Sequence, residues 1–272
     1  MKKKFQFYLP FALNELKTSL SYKGAFYLFI FISTFSSFIS YFLWMAIYGS
    51  SDRSMLGGLT KEEMVMYIFM TYVTSSIVMI SIADWVSDDV VKGTVAMNLI
   101  KPIDYRMSLI TRAMGTMVYR FLSPAVFIWI GLEMYKVFVL GGQVTSIKNI
   151  VLYIISSIMS FFIFVLFDFC VGMIAFFTNY VFGLLMVKDA LLRFLTGQLI
   201  PLSFFPTAVQ RVFDFLPFSS MIYTPVMIYL GKYEDAELMF VLLRQAVWVI
   251  LLYAFGSFIW QRVTRRLEVL GG

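Results

Sequence analysis

Two sets of ionisable residues stand out in an otherwise apolar chain. The first is crowded into residues 84–112, DWVSDDVVKGTVAMNLIKPIDYRMSLITR, where Asp84, Asp88, Asp89, Lys92, Lys101, Asp104, Arg106 and Arg112 fall together. The second is sparse: Asp168, Lys188, Asp189 and Arg193 sit within long apolar runs. Mixed charge at the density of the first set suits recognition of a soluble partner. Isolated charges like the second set suit the lining of a polar path, because an ionised group facing lipid is costly. Neither set matches an enzymatic pattern. The chain has no histidine, which removes the commonest metal ligand and general base. Its one cysteine, Cys170, allows no intramolecular disulfide. No GxxxxGK[ST] phosphate loop, HExxH or GxSxG occurs; Gly231-Lys232 is followed by Tyr233 and has no upstream glycine in register. No catalytic residue, metal site or cofactor is therefore assigned to this chain.

The elements that position these charges are set by composition. Hydrophobic residues make up 60% and charged residues 14% of the 272, where soluble domains are about 45–50% apolar and about 25% charged. Mean hydropathy is +0.83. The net charge of +6 does not form an interleaved basic and aromatic surface, so nucleic acid is not an expected partner. Basic residues cluster instead at the ends of apolar runs, as orientation signals do in membrane proteins. The first 23 residues hold Lys2, Lys3, Lys4, Glu15, Lys17 and Lys23 without the apolar core of a cleaved signal.

In chain order, residues 1–23 predict an amphipathic helix at the membrane interface, with Leu13, Leu16 and Leu20 on one face. Gly24 to Ser51 is free of charge for 28 residues and Met64 to Ala83 for 20, each enough to span. A loop at 49–63 separates them. The polar elbow at 84–112 comes next, then a third span at about 114–139 containing Arg120, Glu133 and Lys136. Arg120 and Lys136 are expected to snorkel, and Glu133 to pair with Lys136 at i, i+3.

Asn149 to Val187 holds 39 residues with one charge, Asp168, too long for a single span. Two layouts fit. In one, a break at Thr178-Asn179-Tyr180 separates spans at about 150–175 and 181–202, and the latter contains Lys188, Asp189 and Arg193. In the other, 177–190 is an interfacial elbow and the fifth span is short. Residues 201–237 carry Pro201, Pro206, Pro217 and Pro225 among Phe and Leu. They are too proline-rich for a regular span and too apolar for a solvated loop. Short half-buried helices re-entering from the outer face satisfy both constraints. A sixth span follows at about 238–261. With both termini in the cytoplasm, 15 basic residues fall inside and 7 outside, the direction the positive-inside rule requires. The expected fold is all-α, with six transmembrane helices in a single membrane domain over 1–272.

VKGTVAMNLIKPID at 91–104 resembles the first cytoplasmic loop of type-2 ABC transporter permeases. GQLIPLSFFP at 197–206, LPF at 216–218, Tyr223-Thr-Pro225 and Gly271-Gly272 resemble a branch of the same family whose paired permeases share one ATPase. The resemblance implies an export subunit in the plasma membrane of a bacterium, working on drugs, antimicrobial peptides, lipids or glycans. It also implies a second permease, identical or homologous, and a dimer of ATP-binding subunits that carry the ATP and Mg. A coupling helix in the elbow, involving Asp84, Trp85, Asp88, Asp89, Lys92, Gly93 and Thr94, would dock in a groove on the ATPase. Asp88 and Asp89 are expected in the first turn of that helix, where its dipole favours negative charge. Asp168, Lys188, Asp189 and Arg193 are candidates to line the pathway. Two alternatives remain: a secondary transporter without an ATPase, and a membrane scaffold that transports nothing.

Overall fold

The structure, a computed structural model, describes residues 2–21, 23–178 and 181–270. Asn179 and Tyr180 of the expected break, and the terminal Gly271-Gly272, lie outside the described residues. Apolar length dictates the main elements. Helices α1 (Lys2–Ser21), α2 (Lys23–Gly49), α3 (Lys61–Val78), α8 (Ile147–Gly172) and α12 (Asp235–Leu270) account for the long rods. Among the described residues, four stretches are long and apolar enough to cross a membrane: Ile30–Gly49, Lys61–Val91, Ile147–Phe176 and Asp235–Arg265.

The second and third of these form the centre. The stretch over α3 is 72% buried, against 11% for α2 and 17% for α12, so α2 and α12 expose most of their apolar surface. Tyr67 on α3 and Tyr153, Phe161, Phe164 and Phe169 on α8 are fully buried. The two tyrosine hydroxyls each find a partner, as burial favours: Tyr67 donates to Gly197 O at 2.5 Å, and Tyr153 shares a 3.0 Å bond with Thr74.

The expected loop at 49–63 contains a small hairpin, β1 (Met55–Leu56) against β2 (Leu59–Thr60). Gly57 and Gly58 between them have φ of 56° and 77°, which a two-residue primed turn demands. Thr60 then caps α3, accepting from Glu63 N while the Glu63 carboxylate accepts from Thr60 N.

Helix α3 stops at Val78, and the chain turns through Met79–Ser81 into α4 (Ile82–Val91) and α5 (Thr94–Ile100). The elbow is thus mostly helical. Arg120 does more than snorkel: its guanidinium donates to Met79 O at 3.1 Å and Ser76 O at 3.4 Å, supplying donors to carbonyls stranded at the end of α3. The helix that carries the third expected span starts at Tyr105, earlier than 114. It runs as α6 (Tyr105–Arg120), a π-helical turn (Phe121–Ala125) and α7 (Val126–Phe138). Pro124 lies in that turn, where it withholds one backbone donor and the helix widens. Glu133 and Lys136 converge on Thr145, which donates its N–H to Glu133 at 3.2 Å and accepts from Lys136 at 3.0 Å.

Between α8 and α12 the structure combines the two expected layouts. A 3-10 turn (Met173–Phe176) ends α8, and α9 (Val181–Leu195) begins where the first layout placed its fifth span. At 15 residues, however, α9 is about 22 Å long, short of a bilayer core of about 30 Å. Residues 201–237 are short helices: a 3-10 turn (Leu202–Phe204), α10 (Thr207–Phe215) and α11 (Tyr223–Tyr229). Pro201 and Pro206 precede helices and Pro225 sits in a first turn, positions that need no N–H. Pro217 lies in the turn between α10 and α11. That turn reaches deep into the bundle, since Ser160 donates to Ser220 O at 2.7 Å from a point about 20 Å along α8. The chain then returns to the hairpin end, where Lys232 pairs with Glu63 at 2.7 Å.

Helix α1 lies along α6. Arg112 pairs with Glu15 at 2.7 Å, and Asp104 N donates to the Tyr8 hydroxyl at 3.0 Å. A Cβ at Gly115 would sit 2.3 Å from Ala12 O, so glycine permits the contact. Leu13 and Leu20 remain exposed, while the neighbouring face through Ala12, Glu15 and Leu16 is the half-buried one.

Candidate functional site

The site is the α4–α5 tip and the residues that anchor it. Helix α4 begins at the break after α3, so its first N–H groups need partners from outside the helix. Ser81 is the N-cap and accepts from Asp84 N at 3.4 Å. Asp168, on α8, supplies the second partner: its Oδ2 accepts from Ala83 N at 2.7 Å and from Ser81 Oγ at 3.2 Å. A carboxylate at a helix N-terminus is favoured by the dipole. The other oxygen of Asp168 accepts from Lys188 Nζ at 2.5 Å, and Lys188 also reaches Asp189 at 3.0 Å. Asp168 is 0% exposed, and such a charge persists only when paired and hydrogen-bonded. One carboxylate thus ties three helices together, α4, α8 and α9. Gly172 lets them approach, since a Cβ there would lie 3.0 Å from Ala83 Cα.

At the far end of α4 a second carboxylate does similar work. Asp89 accepts from Thr94 Oγ1 at 2.6 Å, Asn98 Nδ2 at 3.1 Å and Tyr105 OH at 2.7 Å, joining α4 to α5 and α6. The reversal between α4 and α5 passes through Gly93 at φ 70°, a left-handed conformation that glycine adopts at low cost. Trp85 is half-buried beneath the Arg112 guanidinium, 4.0 Å from its ring centroid, close enough for a cation–π contact. Through Arg112 and Glu15 it connects α4 to α1.

The predicted elbow residues therefore divide. Asp89, Trp85 and Thr94 are internal braces. Asp84, Asp88, Lys92 and Gly93 are exposed, with Asp88 and Lys92 paired at 2.7 Å. The expected placement of Asp88 and Asp89 in a first turn is corrected: α4 starts at Ile82, the acidic residue of its first turn is Asp84, and Asp89 points inward.

Sequence reasoning missed the apolar half of this surface. Val91, Met97 and Ile100 are 66%, 67% and 83% exposed, at the most polar segment of the chain. Met97 and Ile100 are spaced i, i+3 on α5 while Val95 is buried, and that periodicity was the available signal. Exposed apolar side chains beside exposed charged ones mark a surface suited to a protein partner.

Among the second set, Asp168 and Lys188 are buried, Asp189 is half-exposed and Arg193 is exposed on the next turn of α9. Pro201, Pro217 and Pro225 are buried and Pro206 is exposed, at the opposite end of the bundle from the tip.

Several helices of membrane-spanning length with a charged tip at one end are the architecture of a polytopic membrane protein. The model of the ABC-2 family transporter protein matches residues 34–271, and the chain belongs to that family. Comparison with curated proteins finds no match.

Proposed function

We propose that the chain is the membrane subunit of an ATP-driven exporter, forming half of a translocation pathway powered by separate ATP-binding subunits. The plan is six transmembrane segments with both termini in the cytoplasm of a bacterial cell. The α6–α7 rod and the short α9 supply the two segments beyond the four long apolar stretches. The observation that carries this reading is the α4–α5 tip, where exposed Asp84, Asp88, Lys92, Met97 and Ile100 stand on two short helices braced from within. A groove on an ATPase would receive the tip as a helix-in-groove contact. Movement imposed on α4 would reach α8 and α9 through Asp168 and Lys188. Such coupling needs the two nucleotide states of the ATPase to hold the tip differently.

Partial exposure of Asp189 and Arg193 supports a second permease subunit. Charges on a membrane-embedded helix require protein or water in front of them, which a partner and a shared pathway provide.

Two experiments test this. Single cysteines at Met97 and Ile100, in a Cys170→Ala background, should cross-link to the co-expressed ATPase, and one at Arg53 should not. Equal cross-linking from Arg53, or none from the tip, would discard the docking surface and favour a scaffold or a secondary transporter. Cysteines at Ser54 and Lys232 should react with an impermeant reagent on intact cells. Those at Lys101 and Arg265 should react only after permeabilisation, and the reverse result at Arg265 refutes the topology.

A further inference from the structure

The end of the bundle away from the tip holds a small polar cleft with no part in coupling. It is about 240 Å³ in volume and is lined by Asp214 of α10, Tyr223 of α11, Tyr233, and Glu237, Phe240 and Arg244 of α12. Beside it the surface of α12 is apolar: Met239, Leu243 and Val247 are all exposed. A cluster containing a guanidinium, two carboxylates and two phenols is out of place there unless it meets something polar.

Bonding within the cleft shows what is already satisfied and what is not. Arg244 Nη1 donates to Asp214 O at 3.0 Å and to its Oδ1 at 3.1 Å, and Nη2 donates to Thr224 Oγ1 at 3.3 Å. Asp214 is thereby neutralised. Arg244 Nε is buried and has no partner among the described residues. A stranded buried donor on a charged group is unfavourable, and an incoming anionic oxygen would relieve it. The Glu237 carboxylate is exposed and makes no hydrogen bond or ion pair among the described residues. Two complementary needs thus remain in one small space: an acceptor for a cationic donor, and a cation for a carboxylate. The neighbouring rings of Tyr223, Tyr233 and Phe240 offer faces that attract an ammonium group.

We propose that this cleft binds a small zwitterion, an ammonium group a few atoms from a phosphate or carboxylate. Its anionic oxygen accepts from Arg244 Nε and its ammonium faces Glu237. The volume lies below the range of about 300–1,000 Å³ typical of drug-sized ligands and suits a molecule the size of a lipid headgroup or an amino acid. The same chemistry is carried by the phosphatidylethanolamine headgroup and by free aminoalkyl phosphates. Occupancy would fasten α10 and α11 to α12, and so hold the re-entrant segment in place.

The test needs the permease alone, so it stands whatever becomes of the proposed ATPase coupling. The full chain is reconstituted in nanodiscs of phosphatidylglycerol and titrated with phosphoethanolamine by calorimetry. Saturable binding is expected, weakened at least tenfold by Glu237→Gln and by Arg244→Lys. Ethanolamine alone and inorganic phosphate alone should each bind at least tenfold more weakly than the zwitterion. In a second arm, nanodiscs of phosphatidylethanolamine are used. If the lipid headgroup is the occupant, it abolishes binding of the soluble probe, and native mass spectrometry finds that lipid retained by the unaltered protein and lost from Glu237→Gln. Because Arg244 also holds α10 and α11, the deciding variant is Glu237→Gln, which breaks no bond seen in the structure. Absence of binding in both arms overturns the proposal. So does inorganic phosphate binding as tightly as the zwitterion, or unchanged affinity in Glu237→Gln.

Discussion

Both ends of the bundle are closed by a pair of short helices, and although an ion pair also ties Arg244 to Asp214 on α10, the deepest braces of the two pairs differ. At the elbow, α4 and α5 are braced by carboxylates, Asp168 at the start and Asp89 at the end. Their outer surface is open and carries Met97 and Ile100. At the other end, the turn between α10 and α11 is braced by neutral groups. Gln245 Nε2 donates to Ser220 O at 2.9 Å and to Ser160 Oγ at 3.0 Å, and Ser156 Oγ donates to Gln245 Oε1 at 2.9 Å. Helix α11 is buried from Thr224 through Tyr229. Ionic braces beneath an exposed surface suit a part that must move as one body when a partner pulls on it. Neutral braces around a buried segment suit a plug. This contrast is what the following substitutions are chosen to break.

The largest effect is expected at Asp168. Asp168→Ala leaves Lys188 without its main buried counter-charge and Ala83 N without an acceptor, and breaking one side of a buried pair costs about 3–5 kcal/mol. Asp168→Asn keeps an acceptor for the α4 N-terminus and should lose less. Thermal unfolding of the purified permease would rank the two. Equal stability of Asp168→Ala and the unaltered protein would mean that the anchor is not ionic.

Next come the two internal braces taken separately. Asp89→Ala strands Tyr105 OH and Asn98 Nδ2 and leaves Thr94 Oγ1 only the Asp89 carbonyl, and Gln245→Leu strands Ser156 Oγ and takes from Ser220 O one of its two donors. Each should cost about 1–3 kcal/mol, the range for buried groups left unsatisfied. Location distinguishes them. Hydrogen exchange should rise over 94–100 for Asp89→Ala and over 216–222 for Gln245→Leu, each leaving the other end protected. If either substitution loosens both ends, the two pairs of helices are not independently braced.

How much of this could be read from sequence follows the same division. The long rods were legible because charge-free length alone decides them, as for Gly24–Ser51 and Met64–Ala83. Helix α9 was only half legible: its start was placed, but its length was not, since nothing in VFGLLMVKDALLRFL marks the stop before Thr196. The elbow was seen as a polar segment, and the helix expected in it came from the family resemblance and not from its own periodicity. Polar composition masked the inward face through Ile82, Val86 and Asp89, which a helical period of 3.6 picks out. The Asp168 anchor was not legible at all. Its main partner on α4 is a backbone N–H 85 residues away, and backbone partners leave no trace in residue type.

The smallest effect on stability is expected at the exposed face, and there the functional reading is most directly at risk. Asp88 and Lys92 form an i, i+4 pair whose side chains are 69% and 64% exposed. Pairs of this kind contribute about 0.3–0.5 kcal/mol, and less in salt. Asp84 has no role in the anchor beyond its backbone N–H to Ser81. Asp84→Lys with Asp88→Lys should therefore leave the unfolding temperature nearly unchanged and hydrogen exchange over 82–100 protected. The same double variant reverses the charge of the surface offered to an ATPase. Losing or opposing a desolvated charge at a protein interface costs about 2–5 kcal/mol, enough to lower co-purification of the ATPase or to leave ATP hydrolysis without transport. Met97→Ser with Ile100→Ser probes the apolar half in the same way, because neither side chain supports the fold from its exposed position. An elbow variant that keeps full stability but loses its ATPase would separate bracing from docking, as the structure divides them. If both double variants bind and couple normally, the exposed tip is not the docking surface, and the contrast between the two ends describes folding alone.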